Sequence, residues 1–264
     1  MLMSWVAVGL IVFFCRMATG KMSLIPQGLQ NFSEWIVESL YDFLGGLLGD
    51  HLNKRVFWFL GSVFFFILVN NYLGLIPFIG NLGWPVEDPE GHQVGWLPLL
   101  RGGNADVNMT AAMAFTFAVL WFYWAITENG VKGFLAHIFA PKGNFGGLMR
   151  MLMIPIFLFV GVLEIVSICI RPVALTFRLF GNIYGGETTI ETLAMLGKEA
   201  VASKVAGWPG WLQPLAETLG SAGASLPIYF LELLVGFIQS LVFTLLCAIF
   251  IKLICDHGDE EHSH

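Results

Sequence analysis

The sequence predicts an all-α polytopic membrane protein of five to six helices. Only 12% of its 264 residues are charged and 56% are hydrophobic, whereas soluble domains carry about 25% charged residues. The mean hydropathy is +0.74, and the apolar runs are long enough to cross a bilayer. We therefore predict one integral-membrane domain over residues 1–264, ending in a short acidic, histidine-containing tail at 256–264.

Five segments have the apolar character of membrane spans when the longest is counted once: 1–15, 56–79, 106–126, 148–196 and 226–254. The first would reach only ~22 Å as a helix, short of the ~30 Å hydrocarbon core. The fourth is too long, because its 49 residues would extend ~73 Å as a helix. It must lie steeply tilted, bend, or break into two pieces.

Segment 27–48 has a different pattern, which predicts an amphipathic helix. Apolar residues recur there at helical spacing, and glutamine and acidic residues fill much of the other side. This favours a helix on the membrane surface or against a partner, with an ordinary packed amphipathic helix as the alternative. Asn31, three residues before Glu34, is its predicted cap.

The segments between the spans are predicted to be connections. Gly, Pro and Trp are frequent in 81–105, which we expect to be an external loop. They are also frequent in 197–227, which we expect to be an external segment with room for a short helix. Segment 127–150 combines basic residues with Gly and Pro and is expected to be a cytoplasmic connection.

Basic residues outside the spans predict the orientation of the chain. Eight fall on one predicted side: Arg16, Lys21, Lys54, Arg55, Lys132, Lys142, Arg150 and Lys252. Three fall on the other side: Arg101, Lys198 and Lys204. Because cytoplasmic loops carry an excess of Lys and Arg, we predict that the first side is cytoplasmic, with the N-terminus outside and the C-terminus in the cytoplasm.

The composition disfavours several function classes. The net charge is −6, and no basic cluster suits nucleic acid. The four cysteines lie singly, so packed thiols are favoured over disulfides or metal ligands, and no cofactor is predicted. A haem-bearing bundle is disfavoured because the predicted spans contain no histidine. No P-loop pattern occurs, so nucleotide chemistry would require another chain.

The stretch 167–187 carries the most informative charges. It is apolar enough to lie in a bilayer, yet it contains Arg171, Arg178 and Glu187. An arginine near the bilayer centre costs roughly 2.5–3.5 kcal/mol on insertion scales, and a guanidinium does not lose its proton in proteins. A permanent charge in such surroundings indicates a functional site.

Helical spacing predicts how these charges are arranged. Glu164, Arg171 and Arg178 are seven residues apart and therefore share one face. Asn182 lies one turn beyond Arg178 on that side. Glu187 is nine residues beyond Arg178, so it faces the opposite side, ~13 Å along the axis. One helix would thus present a fixed cation to one environment and a titratable acid to another.

The last span offers two further polar residues, Glu232 and Gln239, which are also seven apart. If this span packs antiparallel to the long helix, Gln239 can lie near Arg178 and Glu232 near Glu187. Two acids in one apolar cavity could accept and release protons. A second possibility is that Gln239 only makes a hydrogen bond between helices.

Purely structural roles are also open for the charged residues. Arg178 could pair with Glu164 or Glu187 to fix helix packing. Glu164 and Arg171, which lie nearer the predicted cytoplasmic end, are the more plausible structural pair.

RLFGN (178–182), followed by Glu187 and preceded by Arg171-Pro172, resembles the signature of subunit a of F-type ATP synthases. The similarity extends over most of the chain, through QNFSEW (30–35), ADVN (105–108) and GFLAHIFAPK (133–142). The resemblance implies a membrane-surface helix and two long tilted helices. It also implies a stator beside a rotating ring of c subunits, with two offset proton half-channels.

The resemblance carries over to individual residues. Arg178 matches the family's essential arginine, within the motif that ends at Asn182. Glu187 and Gln239 match polar positions of the proton pathway. Glu232 falls where members of the family vary, often with histidine or an acid, so the detailed relay could differ in this chain.

The resemblance further implies partners and a location. The expected partners are the c-ring, the subunit b peripheral stalk and membrane lipid. The expected location is the bacterial plasma membrane, and no catalysis by this chain alone is expected. A sodium-translocating version of the same subunit is the main alternative. An unrelated secondary transporter is a weaker one, since we find no inverted repeat.

Overall fold

The computed structural model describes residues 2–20, 22–23, 25–76, 83–87, 93–98, 102–139 and 147–255. This part of the chain contains six α-helices: α1 (Leu2–Thr19), α2 (Leu29–Leu48), α3 (Asp50–Leu75), α4 (Val107–Phe139), α5 (Gly147–Val205) and α6 (Gln213–Cys255). All except α2 are long and apolar enough to cross a membrane. The predicted all-α polytopic fold and its five spans are therefore confirmed. The predicted tail at 256–264 lies outside the described residues.

A small β-hairpin lies inside the predicted external loop. Strand β1 (Gly83–Glu87) pairs antiparallel with β2 (Gln93–Pro98), and Trp84 lies opposite Leu97. A 3₁₀ turn at Gly103–Ala105 then leads into α4. The loop is thus partly ordered, which its Gly, Pro and Trp content did not indicate.

Helix α2 lies where the amphipathic helix was predicted, but it begins differently. Its first residue, Leu29, follows Gly28, whose φ of 60° lies in the left-handed region that favours glycine. No side chain caps this end, so the predicted Asn31 cap is wrong, because Asn31 already lies inside the first turn. Leu40 packs into the core, whereas Phe32 is 51% exposed. Partly uncovered apolar residues suit a helix at a membrane surface.

Helices α5 and α6 are much longer than the other spans, with 59 and 43 residues. They extend ~88 Å and ~65 Å, so neither can stand upright within a ~30 Å hydrocarbon core. Segment 148–196 could have bent or broken, yet α5 runs through it as one helix with Pro155 and Pro172 inside it. Two long helices, as the family resemblance implied, are therefore present.

The predicted external segment 197–227 is mostly helical, which corrects the sequence-based expectation. α5 continues to Val205, and α6 begins at Gln213 after a short turn. The glycines allow close packing of the two helices, because a Cβ on Gly220 would lie 2.9 Å from the carbonyl oxygen of Gly197. Small residues that let backbones approach are typical of membrane helix pairs. The same glycine content had suggested a loop.

Helix α4 also runs further than predicted. Its start agrees with the sequence, because the Asp106 carboxylate accepts a hydrogen bond from the backbone N–H of Asn108 at 2.9 Å. The expected connection at 127–150 is partly helix, since α4 continues to Phe139 across a kink at Gly130. Gly130 has a φ of 66°, which glycine adopts without the steric penalty of a side chain.

The core lies between α3, α4 and α6. Leu60, Ile67 and Phe243 are almost fully buried there, and the indole N–H of Trp121 donates to the carbonyl of Phe250 at 2.8 Å. Helix α5 packs along α6 and against α4, yet much of its surface stays exposed. Its most apolar stretch is only 11% buried, compared with 44% in α3 and α6. One long face of α5 is thus left for lipid or for a partner.

Candidate functional site

Three of the predicted site residues lie where α5 and α6 pack side by side. Asn182 Nδ2 donates to Gln239 Oε1 at 2.7 Å, and Gly186 lies against the Glu232 carboxyl group. Further along, Lys198 Nζ lies 3.8 Å from Glu217 Oε2. Because residue numbers rise on α5 as they fall on α6, the helices are antiparallel, as the expected pairing of α6 with α5 requires. We call the stretch from Asn182–Gln239 to Gly186–Glu232 the seam.

Helix α5 presents two different faces near the seam. The packed face includes Leu175 and Leu179, which are 2% and 0% exposed. The open face is exposed and follows helical spacing through Arg178, Gly181, Gly185, Thr188 and Thr192. The site therefore lies at the border between a packed helix pair and an uncovered surface.

Arg178 lies on the open face without an acidic partner. It lines a groove of about 400 Å³, with Ala174 before it on α5 and Leu246 opposite it on α6. In the part of the chain that the structure describes, no carboxylate forms an ion pair with Arg178. Its positive charge is thus available to an acidic group from outside the chain.

Arg171, two turns earlier, is held inside the chain. Its Nη2 lies 3.2 Å from Glu164 Oε1, and its guanidinium carbon is 4.8 Å from the centre of the Phe250 ring. It also lies 5.8 Å from the Trp121 ring centre, within range of a cation–π contact. The predicted Glu164–Arg171 pair is confirmed. The alternative pairing of Glu164 with Arg178 is wrong, because Arg171 holds that carboxylate.

Gln239 forms a contact between the two helices, as one of the predicted alternatives required. It is 4% exposed, and its Oε1 accepts the hydrogen bond from Asn182 one turn beyond Arg178. Its Nε2 has no hydrogen-bond partner among the described residues. A buried amide donor without a partner is unfavourable by about 1–3 kcal/mol, so an additional acceptor at this position would stabilise the site.

Glu232 places a carboxyl group inside the helix pair. It is 4% exposed, and its Oε1 also lacks a hydrogen-bond partner within the described ranges. Any side chain on Gly186 would collide with this carboxyl group. Glu187, the next residue, is half-buried, whereas Arg178 is exposed. The predicted separation of the fixed cation from the two acids stays a prediction.

Two asparagine side chains connect α3 and the 3₁₀ turn to the seam. Asn104 Nδ2 donates to Asn71 Oδ1 at 2.6 Å, and Asn71 Nδ2 donates to the carbonyl of Gly236 at 2.9 Å. Gly236 lies between Glu232 and Gln239 on α6. Asn71 thus connects α3 to α6, while the role of Asn104 and the close approach of Asn71 to Gly236 had no sequence signal.

The site combines titratable groups with a permanent charge. Within the described residues, no three His, Cys, Asp or Glu side chains are grouped so that they could hold a metal ion. The polar groups at the seam are carboxyls and amides, with one guanidinium on the open face. Carboxyls can take up and release protons, whereas the guanidinium keeps its charge.

Comparisons with known proteins identify similar sequences. The family model described as ATP synthase A chain matches residues 1–252. A protein of Solidesulfovibrio magneticus named ATP synthase subunit a is 31% identical over 261 residues, covering 99% of this chain and 84% of its own length. Proteins of the same name from Anaeromyxobacter dehalogenans strain 2CP-C and Chloroherpeton thalassium are each 32% identical. Both matches cover 99% of this chain, and 58% and 68% of the respective relatives.

Proposed function

The chain belongs to the ATP synthase A chain family, and from this premise we propose that it is the stator subunit that conducts protons across the membrane. It would form two offset half-channels against a ring of c subunits and couple proton flow to rotation. The observation that carries this proposal is Arg178, a permanent cation on the open face of α5 without a carboxylate partner in the described chain.

The electrostatic role of Arg178 follows from the cost of charge in a membrane. A protonated carboxyl on the ring is neutral and can face lipid, whereas an ionised carboxylate cannot do so without a large penalty. The ionised group is instead attracted to Arg178. Because the guanidinium stays charged, it also repels protons and prevents a direct leak between the two half-channels.

Glu232 and Glu187 are the proposed proton relay on the other side of α5. Protons from outside would pass through these acids, load a ring carboxyl, travel with the ring, and leave on the cytoplasmic side. The driving energy is about 2.3 kcal/mol per charge per 100 mV. Asn182 and Gln239, whose side chains bond each other at 2.7 Å, would hold the two helices in register beside Arg178.

The proposed partners and location follow from the same premise. We propose contacts with the c-ring, with the subunit b peripheral stalk and with lipid in a bacterial plasma membrane. The excess of basic residues on one predicted side supports an outside N-terminus and a cytoplasmic C-terminus. An unrelated secondary transporter is not supported, since the family match covers residues 1–252.

Proton flux in membrane vesicles that hold the assembled complex tests the role of Arg178. In Arg178→Ala, we expect ATP-driven acidification to fall to the level of vesicles without the complex. Lys198→Ala is a matched control, because Lys198 is an exposed cation on the same helix whose ion pair is long and exposed and therefore contributes little. Pumping near the wild-type level in a fully assembled Arg178→Ala complex would show that Arg178 is not required for transport and would favour a structural role.

Passive leak gives a second readout on the same vesicles after the catalytic head is removed. If Arg178 separates the half-channels, Arg178→Ala should leak protons faster than the wild type, while Lys198→Ala should not.

The transported ion requires its own measurement. ATP-driven transport should respond to pH, persist without sodium, and collapse with a protonophore. Sodium uptake that persists in the presence of a protonophore would instead support the sodium-translocating alternative.

A further inference from the structure

A large groove lies between α1, α2 and α3, far along the chain from the seam. Its volume is about 1010 Å³, at the upper end of the ~300–1,000 Å³ typical of small-molecule sites. We call it the α1–α2 groove. Its walls are mainly apolar side chains, including Phe14 of α1, Ile36 of α2 and Leu68 of α3. Such walls suit a hydrocarbon chain.

The polar residues of the groove come from α2 and from the end of α1. They are Thr19, Ser33, Glu34 and Glu38. Glu34 and Glu38 are one helical turn apart and therefore lie on the same side of α2. The groove thus combines an apolar interior with two neighbouring carboxylates.

Neither carboxylate is neutralised by a cation within the described part of the chain. Glu34 Oε1 accepts a hydrogen bond from the neutral amide of Gln30 at 2.8 Å. Glu38 is exposed, and the recorded ion pairs of the described residues involve neither acid. Two like charges one turn apart repel each other, so a cationic ligand that contacts both would relieve this repulsion.

We propose that the α1–α2 groove binds a phospholipid whose headgroup carries a primary ammonium, such as phosphatidylethanolamine. Its acyl chain lies along the apolar walls, and its ammonium donates hydrogen bonds to Glu34 and Glu38. An anionic headgroup without an ammonium is repelled by the same carboxylates. A trimethylammonium headgroup carries the positive charge but has no N–H to donate.

The headgroup, rather than the tail, decides which lipid binds. A tail that moves from the bilayer into the groove exchanges one apolar environment for another, so it gains little by the transfer. The ammonium–carboxylate contact is specific but partly exposed, and exposed ion pairs are weak. We therefore expect a selectivity of roughly two- to fivefold for phosphatidylethanolamine over phosphatidylcholine.

Lipid photolabelling of the assembled complex tests this site. The complex is reconstituted in vesicles with equal amounts of phosphatidylethanolamine and phosphatidylcholine, each with a diazirine in one acyl chain. After illumination, labelled peptides are counted by mass spectrometry. Segment 115–126 of α4, which carries the exposed Phe115 and Tyr123, serves as the internal reference for unselective lipid contact. On peptides 10–19 and 33–41, we expect the ethanolamine-to-choline ratio to exceed that reference roughly two- to fivefold.

Charge-neutralising variants connect the selectivity to the two acids. The ratio should fall to the reference value in Glu34→Gln/Glu38→Gln. It should remain high in Asp42→Asn, a control on the same helix whose residue does not line the groove. If the double variant does not assemble, Val37→Trp is the second variant. Val37 is a partly exposed groove residue, so a larger side chain there should reduce labelling by both lipids without disturbing the core.

Three outcomes would overturn the proposal. The first is a wild-type ratio equal to the reference. The second is preferential labelling by phosphatidylglycerol when it replaces phosphatidylethanolamine in the mixture. The third is an absence of lipid labels on these peptides together with crosslinks from Val37→Cys to another subunit, which would show that a protein helix covers the groove. None of these outcomes bears on the role of Arg178 in proton transport. The lipid proposal and the proposed function can therefore fail separately.

Discussion

Arg171 and Arg178 lie two turns apart on the same helix, yet the fold treats them differently. Arg171 is paired with Glu164 at 3.2 Å and lies over the ring of Phe250. Arg178 is exposed and has no carboxylate partner among the described residues. The two arginines face nearly the same direction from the helix axis, yet their surroundings differ. Trp121 of α4 lies beside Arg171, whereas Arg178 is exposed.

The comparison shows how a structural charge differs from an available one. An arginine contributes to folding when its charge pairs with a carboxylate of the same chain and its planar face packs on an aromatic ring. An arginine left open contributes little to folding and can act on a partner. Substitution of Arg171 should therefore lower mainly the stability of the chain, and substitution of Arg178 should lower mainly transport. In the same way, substitutions on the packed face of α5 should lower stability more than substitutions on its open face.

Stability can be followed through Cys247, which is fully buried in α6. In a background where Cys15, Cys169 and Cys255 are replaced by serine, labelling of Cys247 by a membrane-permeant maleimide reports unfolding of the chain during heating. Each variant below is compared with this background in the assembled complex.

The largest effect is expected for Arg171→Ala. Hydrogen bonds to charged groups contribute about 1.5–3 kcal/mol, and the substitution also leaves Glu164 without its partner. Cys247 should become reactive at a lower temperature, whereas Arg178→Ala should leave that temperature almost unchanged. Pumping per assembled complex should be reduced far less in Arg171→Ala than in Arg178→Ala. An equal loss of stability in Arg171→Ala and Arg178→Ala would contradict the distinction between a structural and an available arginine.

Gly186→Ala should be the next most severe change. The new methyl group would collide with the Glu232 carboxyl, and overpacking of this kind typically costs about 1–3 kcal/mol. Gly185→Ala is its matched control on the open face, where a Cβ has nothing within 4 Å. That change should be neutral or stabilise the helix by up to about 1 kcal/mol. An equal loss of stability in both variants would argue against the packed face as described.

Asn182→Ala should have a smaller effect. It removes the hydrogen bond to Gln239 at 2.7 Å, and a typical hydrogen bond contributes about 0.5–1.5 kcal/mol. Thr188→Ala is the control, because the Thr188 hydroxyl bonds only to the Tyr184 carbonyl of its own helix. If Asn182→Ala is as stable as the control, the seam does not depend on this bond.

Glu164→Gln should have the smallest effect. The amide oxygen can still accept from Arg171, so only the ionic part of the interaction is lost. Since the Glu164 side chain is 39% exposed, solvent screens the pair, and we expect a loss of about 0.2–1 kcal/mol. The loss should shrink further at high salt. A loss as large as that of Arg171→Ala would mean that the pair is less screened than its exposure indicates.

Much of the fold could be predicted because membrane spans depend on local composition. The five spans and the amphipathic α2 follow from apolar runs and helical spacing, which neighbouring helices do not change. The ends of the helices were predicted less well. Gly-rich stretches near 197–227 suggested a loop, and only the close approach of Gly197 and Gly220 shows that these glycines serve helix packing.

The sequence by itself determined that Arg178, Asn182 and Glu187 occupy stated faces of one helix, because a helix has a constant rotation per residue. It could not decide which of those faces would be covered. That depended on the tertiary structure, in which α6 packs antiparallel on α5 and brings Gln239 to Asn182 and Glu232 to Gly186. Burial and pairing arise from contacts between residues far apart in the chain, so the fold decided between the two pairings of Glu164, with Arg171 or with Arg178, that the sequence had left open.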